Sequence, residues 1–157
     1  MIKVGDSIPA AGITVINNDG QENISAATFF ADKKAVLFAL PGAFTPTCSE
    51  AHLPGFIVGY DDIAAKGVDV VACLSVNDSF VMNAWRASQN AENITMIADG
   101  GAALTKELGL VLDTSDFGGI RSQRYSMIID NGVVTHLNVE EGGGFEVSGA
   151  DTILSQL

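Results

Sequence analysis

Lys33-Lys34-Ala35-Val36-Leu37-Phe38-Ala39-Leu40-Pro41-Gly42-Ala43-Phe44-Thr45-Pro46-Thr47-Cys48-Ser49 is the stretch that decides the fold. The run Ala35 to Leu40 is short, wholly apolar and bounded by lysines and by Pro41-Gly42, which is the pattern of a central strand buried on both faces. Thr45 then reads as an N-cap and Pro46 as the first residue of a helix, where its missing N–H costs nothing. A strand running directly into a helix start is a unit of an α/β fold, and Cys48 falls in the first helical turn. Free N–H groups and the positive end of the helix dipole favour a thiolate there, so Cys48 reads as a nucleophile.

Working outward, Gly12 to Ile16 reads as a first strand turned by Asn17-Asn18-Asp19-Gly20, and Ser25 as the cap of a brief helix through Phe29-Phe30. The helix from Pro46 is expected to run toward Lys66, bent or interrupted at Pro54-Gly55, with Leu53, Phe56, Ile57, Tyr60, Ile63 and Ala64 as its buried face. Val68 to Val76 reads as a second buried strand, which makes Cys73 a core residue. Asn77 or Asp78 can cap the next helix, with Phe80, Val81, Ala84 and Trp85, and a short strand at Ile94 to Ile97 leads through Asp99-Gly100 into a helix ending at Leu108. Residues 109–120 read as loop. Tyr125 to Ile129 and Val133 to Val139 flank Asp130-Asn131-Gly132, the strongest hairpin signal in the chain, and Asp151 to Leu157 reads as a last helix. The whole is one α/β domain over 1–157, with a mixed sheet, helices on both faces and a C-terminal hairpin. Cys48 would lie at the carboxyl end of the 35–40 strand, where open α/β sheets place ligands.

The chain has 157 residues, 47% hydrophobic and 17% charged, enough for one packed domain and far from the disordered class. Its formal net charge of −11 opposes binding to nucleic acid or anionic membranes. No basic, apolar leader and no apolar run of membrane-spanning length is present, so a soluble cytoplasmic protein is expected. The two cysteines, Cys48 and Cys73, form neither a C-x-x-C pair nor a metal-ligand cluster, and no metal or bound cofactor is expected.

Pro41, Thr45 and Cys48 match the Pro-x-x-x-Thr-x-x-Cys segment of the peroxiredoxins, and Pro-Gly-Ala-Phe-Thr-Pro-Thr-Cys-Ser closely resembles the spelling of their atypical type II group. His52-Leu53-Pro54-Gly55-Phe56, Cys73 to Asp78, Arg124-Tyr125-Ser126-Met127, Asn138-Val139-Glu140 and Ser155-Gln156-Leu157 carry the similarity over essentially the whole length. The resemblance implies a thioredoxin-like fold, a peroxidase that reduces hydrogen peroxide and organic hydroperoxides, and a homodimer packed through loops around the site. It assigns Cys48, Thr45, Arg124 and Pro41 to the catalytic site. Some members carry a resolving cysteine near the C-terminus, and Val147 stands at that place here. The chain therefore resembles members that use an external thiol, with glutathione as reducing co-substrate and glutaredoxin acting in trans; thioredoxin is the alternative reductant.

In this reading the Cys48 thiolate attacks one peroxide oxygen, and preorganised donors meet the charge that develops on the leaving oxygen. Thr45 can cap the helix, bind substrate, or do both. Composition alone would make Arg124 a surface arginine paired with a carboxylate; the resemblance instead sets it beside Cys48, where a guanidinium favours the thiolate and donates to the peroxide. Arg121 is a weaker candidate for attracting glutathione carboxylates. Pro41 shields the sulfur or is simply a turn proline. His52 lies four residues after Cys48 on the same helical face and reads as a structural neighbour of the pocket, since no group that would orient its imidazole is identifiable. Phe44, Phe80 and Trp85 read mainly as core, with a dimer face as the alternative, and His136 as an outward strand residue. A thiol phosphatase is disfavoured because Ser49-Glu50-Ala51-His52-Leu53-Pro54 supplies an acid and no arginine. A peroxide-sensing redox protein stays open and differs from a peroxidase in lacking efficient turnover.

Overall fold

The computed structural model describes residues Met1–Leu157. Nine strands and five helices follow one another as β1 (Gly12–Asn17), β2 (Gly20–Ser25), α1 (Ala26–Phe30), β3 (Lys34–Ala39), a π-helical turn (Cys48–His52), α2 (Leu53–Ala65), β4 (Val70–Ser75), α3 (Ser79–Ser88), β5 (Thr95–Ala98), α4 (Ala103–Leu108), β6 (Val111–Asp113), β7 (Ile120–Ser122), β8 (Tyr125–Asp130), β9 (Val133–Val139) and α5 (Ala150–Gln156). Seven strands form one mixed sheet in the order β2-β1-β5-β4-β3-β8-β9. β3 pairs parallel with β4 and antiparallel with β8, so it is central, as its unbroken apolar run requires.

A strand buried on both faces must supply two cores by alternation, and β3 does so. Val36 and Phe38 join Val71 and Cys73 of β4 in a layer closed by α2, α3 and α5. Ala35, Leu37 and Ala39 join Ala72 and Leu74 in the opposite layer, closed by α1 and α4. Phe38 stacks on Phe56 of α2, ring centroids 4.0 Å apart. Each such fully buried Phe or Leu contributes about 1.5–3 kcal/mol of apolar burial, so the strand and helix that flank the nucleophile are among the firmest parts of the molecule. The thioredoxin-like α/β architecture with its C-terminal hairpin is thus present.

Most local signals act as the sequence suggests. The Ser25 hydroxyl accepts from the Thr28 amide, and Asp78, rather than Asn77, caps α3 by accepting from Val81. The Asn131-Gly132 turn has φ of 48° and 77°, the left-handed pair that a two-residue hairpin demands. A bulge in β9 at Thr135, opposite Ile128/Ile129 of β8, sets Val134 opposite Ile129 but His136 opposite Ile128, so those two residues do not share a face. No helix of the chain is long and apolar enough to cross a membrane.

Two expectations need correction. Residues 109–120 are not plain loop, because β6 pairs with β7 in a separate two-stranded sheet closed by Thr114, whose amide and hydroxyl both bond to Gly119 O. Strands of three residues are too short to show a period, which is why pattern misses them. The helix after Pro46 is also not interrupted at Pro54-Gly55 but one turn earlier. Leu53 N donates to Cys48 O, five residues back, and widens the first turn. Pro54 has no N–H with which to continue the four-residue ladder, and the turn ahead of it relaxes into π geometry.

Candidate active site

Three pieces of chain meet at the carboxyl end of β3. Pairing of Ala39 with Tyr125 places Arg124, the residue just before β8, beside the exit of β3 at Leu40-Pro41. Arg124 also shares the parity of Ser126 and Ile128, and Ile128 faces the α2 layer, the side on which Cys48 lies. Strand parity and register therefore deliver the guanidinium to the thiol.

Cys48 is 1% exposed and belongs to the α2 core layer. Arg124 Nη2 donates to Cys48 Sγ at 3.2 Å. Arg124 Nη1 lies 2.9 Å from His52 Nδ1. A guanidinium only donates, so Nδ1 must be an acceptor and the imidazole proton must sit on Nε2. That Nε2–H donates to the Ser148 carbonyl at 3.0 Å. His52 is thus the neutral, fixed acceptor of a chain running Ser148, His52, Arg124, Cys48, and not a free base. Phe38 and Phe145 pack against its ring, with centroids at 5.1 and 4.9 Å.

Burial, and then the Arg124 charge, push the His52 pKa down from 6.5 to about 3; the Ser148 carbonyl and Glu140 oppose this without reversing it. The sign of the stability effect follows. An unfolded chain takes up this proton below about pH 6.5, whereas the folded chain refuses it until about pH 3. The stability of the neutral, buried state is therefore complete above pH 6.5 and is lost as pH falls through that window, by up to roughly 5 kcal/mol at about 1.4 kcal/mol per pH unit. His52→Asn is expected to flatten this acid dependence relative to wild type. Urea unfolding of both proteins at pH 7 and pH 4 measures it, and parallel losses would contradict a neutral buried His52.

Of the other expected site residues, Pro41 shares a cleft of about 190 Å³ with Arg124, Gln123 and Glu140. Thr45 behaves differently from its reading as a side-chain cap. Its hydroxyl donates to Gly42 O at 2.7 Å, and its carbonyl accepts from Ser49 N at 2.9 Å. With its hydrogen committed to Gly42, the hydroxyl can serve any further partner only as an acceptor, and it makes no hydrogen bond to Cys48 or Arg124. Arg121 is tied back by Nε to Gly118 O and by Nη1 to Val76 O, a staple between the β6–β7 turn and the end of β4. Ser49, next to the nucleophile, accepts from Trp85 Nε1 at 3.0 Å, and this clamps the helix start to α3.

Trp85 and Cys73 are fully buried, as expected, and burial, followed by the neighbouring Cys48, raises the Cys73 pKa well above its usual value. Phe44 and Phe80 are exposed instead of core. Phe44 takes φ of 66°, which turns its ring outward from the loop. Sequence reasoning missed Ser148, whose carbonyl orients His52; no local signal links it to a residue 96 positions earlier. A second cleft, about 660 Å³ between β1–β2 and the Asp78 and Asp99 turns, contains no cysteine, histidine or arginine.

Comparison with known proteins adds three findings. A family model described as Redoxin matches residues 3–154. Peroxiredoxin-2D of Arabidopsis thaliana is 46% identical over 99% of this chain and 98% of its own length, and chloroplastic Peroxiredoxin-2E-2 of Oryza sativa subsp. japonica is 48% identical over 99% and 72%. The crystal structure of reduced Prx3 from Vibrio vulnificus in complex with H2O2 superposes with a TM-score of 0.96 at 59% identity, covering 99% of each chain.

Proposed function

The chain belongs to the redoxin family as a type II peroxiredoxin, a thiol peroxidase, and from that premise we propose that it reduces hydroperoxides by a one-cysteine cycle at Cys48 recycled by glutathione and glutaredoxin. The observation that carries the reading is the Arg124 guanidinium 3.2 Å from Cys48 Sγ, held on its other nitrogen by a neutral histidine. The Cys48 thiolate attacks one oxygen of ROOH, the S–O bond forms as the O–O bond breaks, and RO⁻ leaves to take a proton as ROH. Sulfur is oxidised to the sulfenic acid and the peroxide is reduced. Arg124 stabilises charge on sulfur before attack and on the oxygens as it proceeds. Thr45 Oγ1, with its hydrogen on Gly42 O, accepts a hydrogen bond from the peroxide O–H and orients the O–O bond. Pro41, which lines a cleft together with Arg124, is assigned the shielding of the sulfur.

Glutathione attacks the sulfenic sulfur, releasing water and leaving a mixed disulfide, which a glutaredoxin thiolate then reduces. Two features favour an external thiol. Cys73 lies fully buried on β4, and its raised pKa makes it a poor attacking thiol. Val147, 41% exposed, occupies the place at which relatives of the group carry a resolving cysteine. A cytoplasmic setting, where thiols are kept reduced, suits this cycle. A homodimer packed through the exposed Phe44 and Phe80 belongs to the same proposal.

Steady-state consumption of hydrogen peroxide by wild type and Cys73→Ser, with glutathione plus glutaredoxin and separately with a thioredoxin system, tests the recycling. Sustained turnover with glutathione plus glutaredoxin, unchanged in Cys73→Ser, is expected. Turnover with thioredoxin alone would replace the reductant, and loss of turnover in folded Cys73→Ser would make Cys73 a resolving thiol. Absence of turnover with either system would leave a peroxide sensor.

A further inference from the structure

Glu140 follows the last residue of β9 and is 7% exposed, yet it has no cationic partner, since the one ion pair of the chain is Lys3–Asp6. Its carboxylate instead gathers a turn of backbone. Oε1 and Oε2 accept from Glu146 N at 2.9 and 3.0 Å, and Oε2 accepts from Val147 N at 2.8 Å and from Ser148 N and Oγ at 2.8 and 2.7 Å. Three consecutive amides and a hydroxyl converging on one anion form a nest that only a carboxylate fills well. Burial raises the Glu140 pKa, but the Ser148 hydroxyl and the three amides outweigh it, and the net shift is downward. The charged form is the one that holds this turn.

The turn is otherwise poorly secured. Gly142-Gly143-Gly144 supplies no side chain, and its one internal backbone bond is Gly144 N to Glu141 O at 3.4 Å. Yet the turn meets the site twice. Ser148 O receives His52 Nε2–H, and the Phe145 ring lies 5.8 Å from the Arg124 guanidinium and 4.9 Å from the His52 ring. Glu140 N also donates to Arg124 O at 3.0 Å, which pins the arginine backbone from the same residue.

We infer that Glu140 is a positioning residue for peroxide reduction: by folding residues 146–148 onto its carboxylate it aims the Ser148 carbonyl at His52, locks His52 as the Nε2–H tautomer, and so fixes the Arg124 guanidinium on Cys48. The inference rests on Arg124 promoting the oxidation of Cys48. Removing the anion frees the turn, lets His52 exchange tautomers, and loosens the guanidinium by the fraction of an ångström that preorganised donors cannot tolerate.

The test is a double-mutant cycle of Glu140→Gln and Arg124→Gln, read by the second-order rate of Cys48 oxidation by hydrogen peroxide and by nitrogen NMR of the imidazoles. Glu140→Gln is expected to slow oxidation about tenfold, as loss of an outer-shell orienting partner does, but by less than about twofold in the Arg124→Gln background, because both act through one group. The His52 ring should lose its single-tautomer signature while His136, the only other histidine, keeps its own. Ser148→Ala removes only the hydroxyl bond and should shift both readouts in the same direction by less, which keeps the test open should Glu140→Gln fold poorly. Equal losses in both backgrounds, or an unchanged His52 signature in Glu140→Gln and Ser148→Ala, would overturn the role of Glu140 alone. An undiminished rate in Arg124→Gln would overturn the Arg124 reading beneath it.

Discussion

Cys48→Ser is expected to bring peroxide turnover down to background while the protein stays folded and its lone tryptophan stays buried. A hydroxyl at this position is not ionised at neutral pH and is a weak nucleophile toward a peroxide oxygen, so the loss should resemble removal of a catalytic nucleophile elsewhere, about 10⁴-fold or more. Burial adds to the contrast. At 1% exposure the sulfur is buried, with Arg124, which donates to it, lining the neighbouring cleft, and no surface thiol stands in for it. The remaining cysteine, Cys73, is sealed in β4. Peroxide consumption with excess reductant measures the effect, and near-ultraviolet circular dichroism checks the fold around Trp85, which bonds to Ser49 beside the mutated residue. Turnover retained above about a hundredth of wild type would remove Cys48 from the chemistry.

Arg124→Gln carries the second large effect. The guanidinium spans Cys48 Sγ and His52 Nδ1 with its two terminal nitrogens, a fork that no other side chain reproduces. Loss of one preorganised charged donor is worth about 10²–10³ in rate, and the second-order rate of Cys48 oxidation in stopped flow should fall by that amount. Arg124→Lys should recover only part of the loss, since one ammonium cannot fill both positions. A companion sign is available at His52. The Arg124 charge is one cause of its low pKa, so removal should raise that pKa without returning it to 6.5, because burial, the larger cause, remains. A rate in Arg124→Gln within about threefold of wild type would contradict the electrostatic role.

Much of this was legible from local pattern. The apolar run of β3, its Pro41-Gly42 stop and the helix start at Pro46 placed Cys48 correctly, because each signal acts over a few residues. The resemblance singled out Arg124, and the register of β8 on β3 explains why that position reaches the sulfur. What could not be read was anything depending on distant partners. Arg124 meets Cys48 across 76 residues and His52 across 72, and His52 meets Ser148 across 96. The imidazole therefore lacked a visible orienter, and Glu140 was singled out by the resemblance without a role. Thr45 does stand at the helix start, its carbonyl accepting from Ser49 N, and only its side chain does not cap. Its hydroxyl had two possible partners within four residues, and the tight Pro41–Thr45 turn brought Gly42 O closer than any free amide. Phe44 and Phe80 were misread because a helical or loop aromatic normally packs inward, whereas here both are exposed.

The most direct test of the one-cysteine cycle is mass spectrometry of the reduced wild-type protein after a single equivalent of hydrogen peroxide, with a sulfenic-acid trap and no other thiol present. Gain of one oxygen, trapped on the peptide containing Cys48 with Cys73 still a free thiol, is the expected product. Loss of two hydrogens instead, with Cys48 and Cys73 recovered as one disulfide-linked pair, would contradict it.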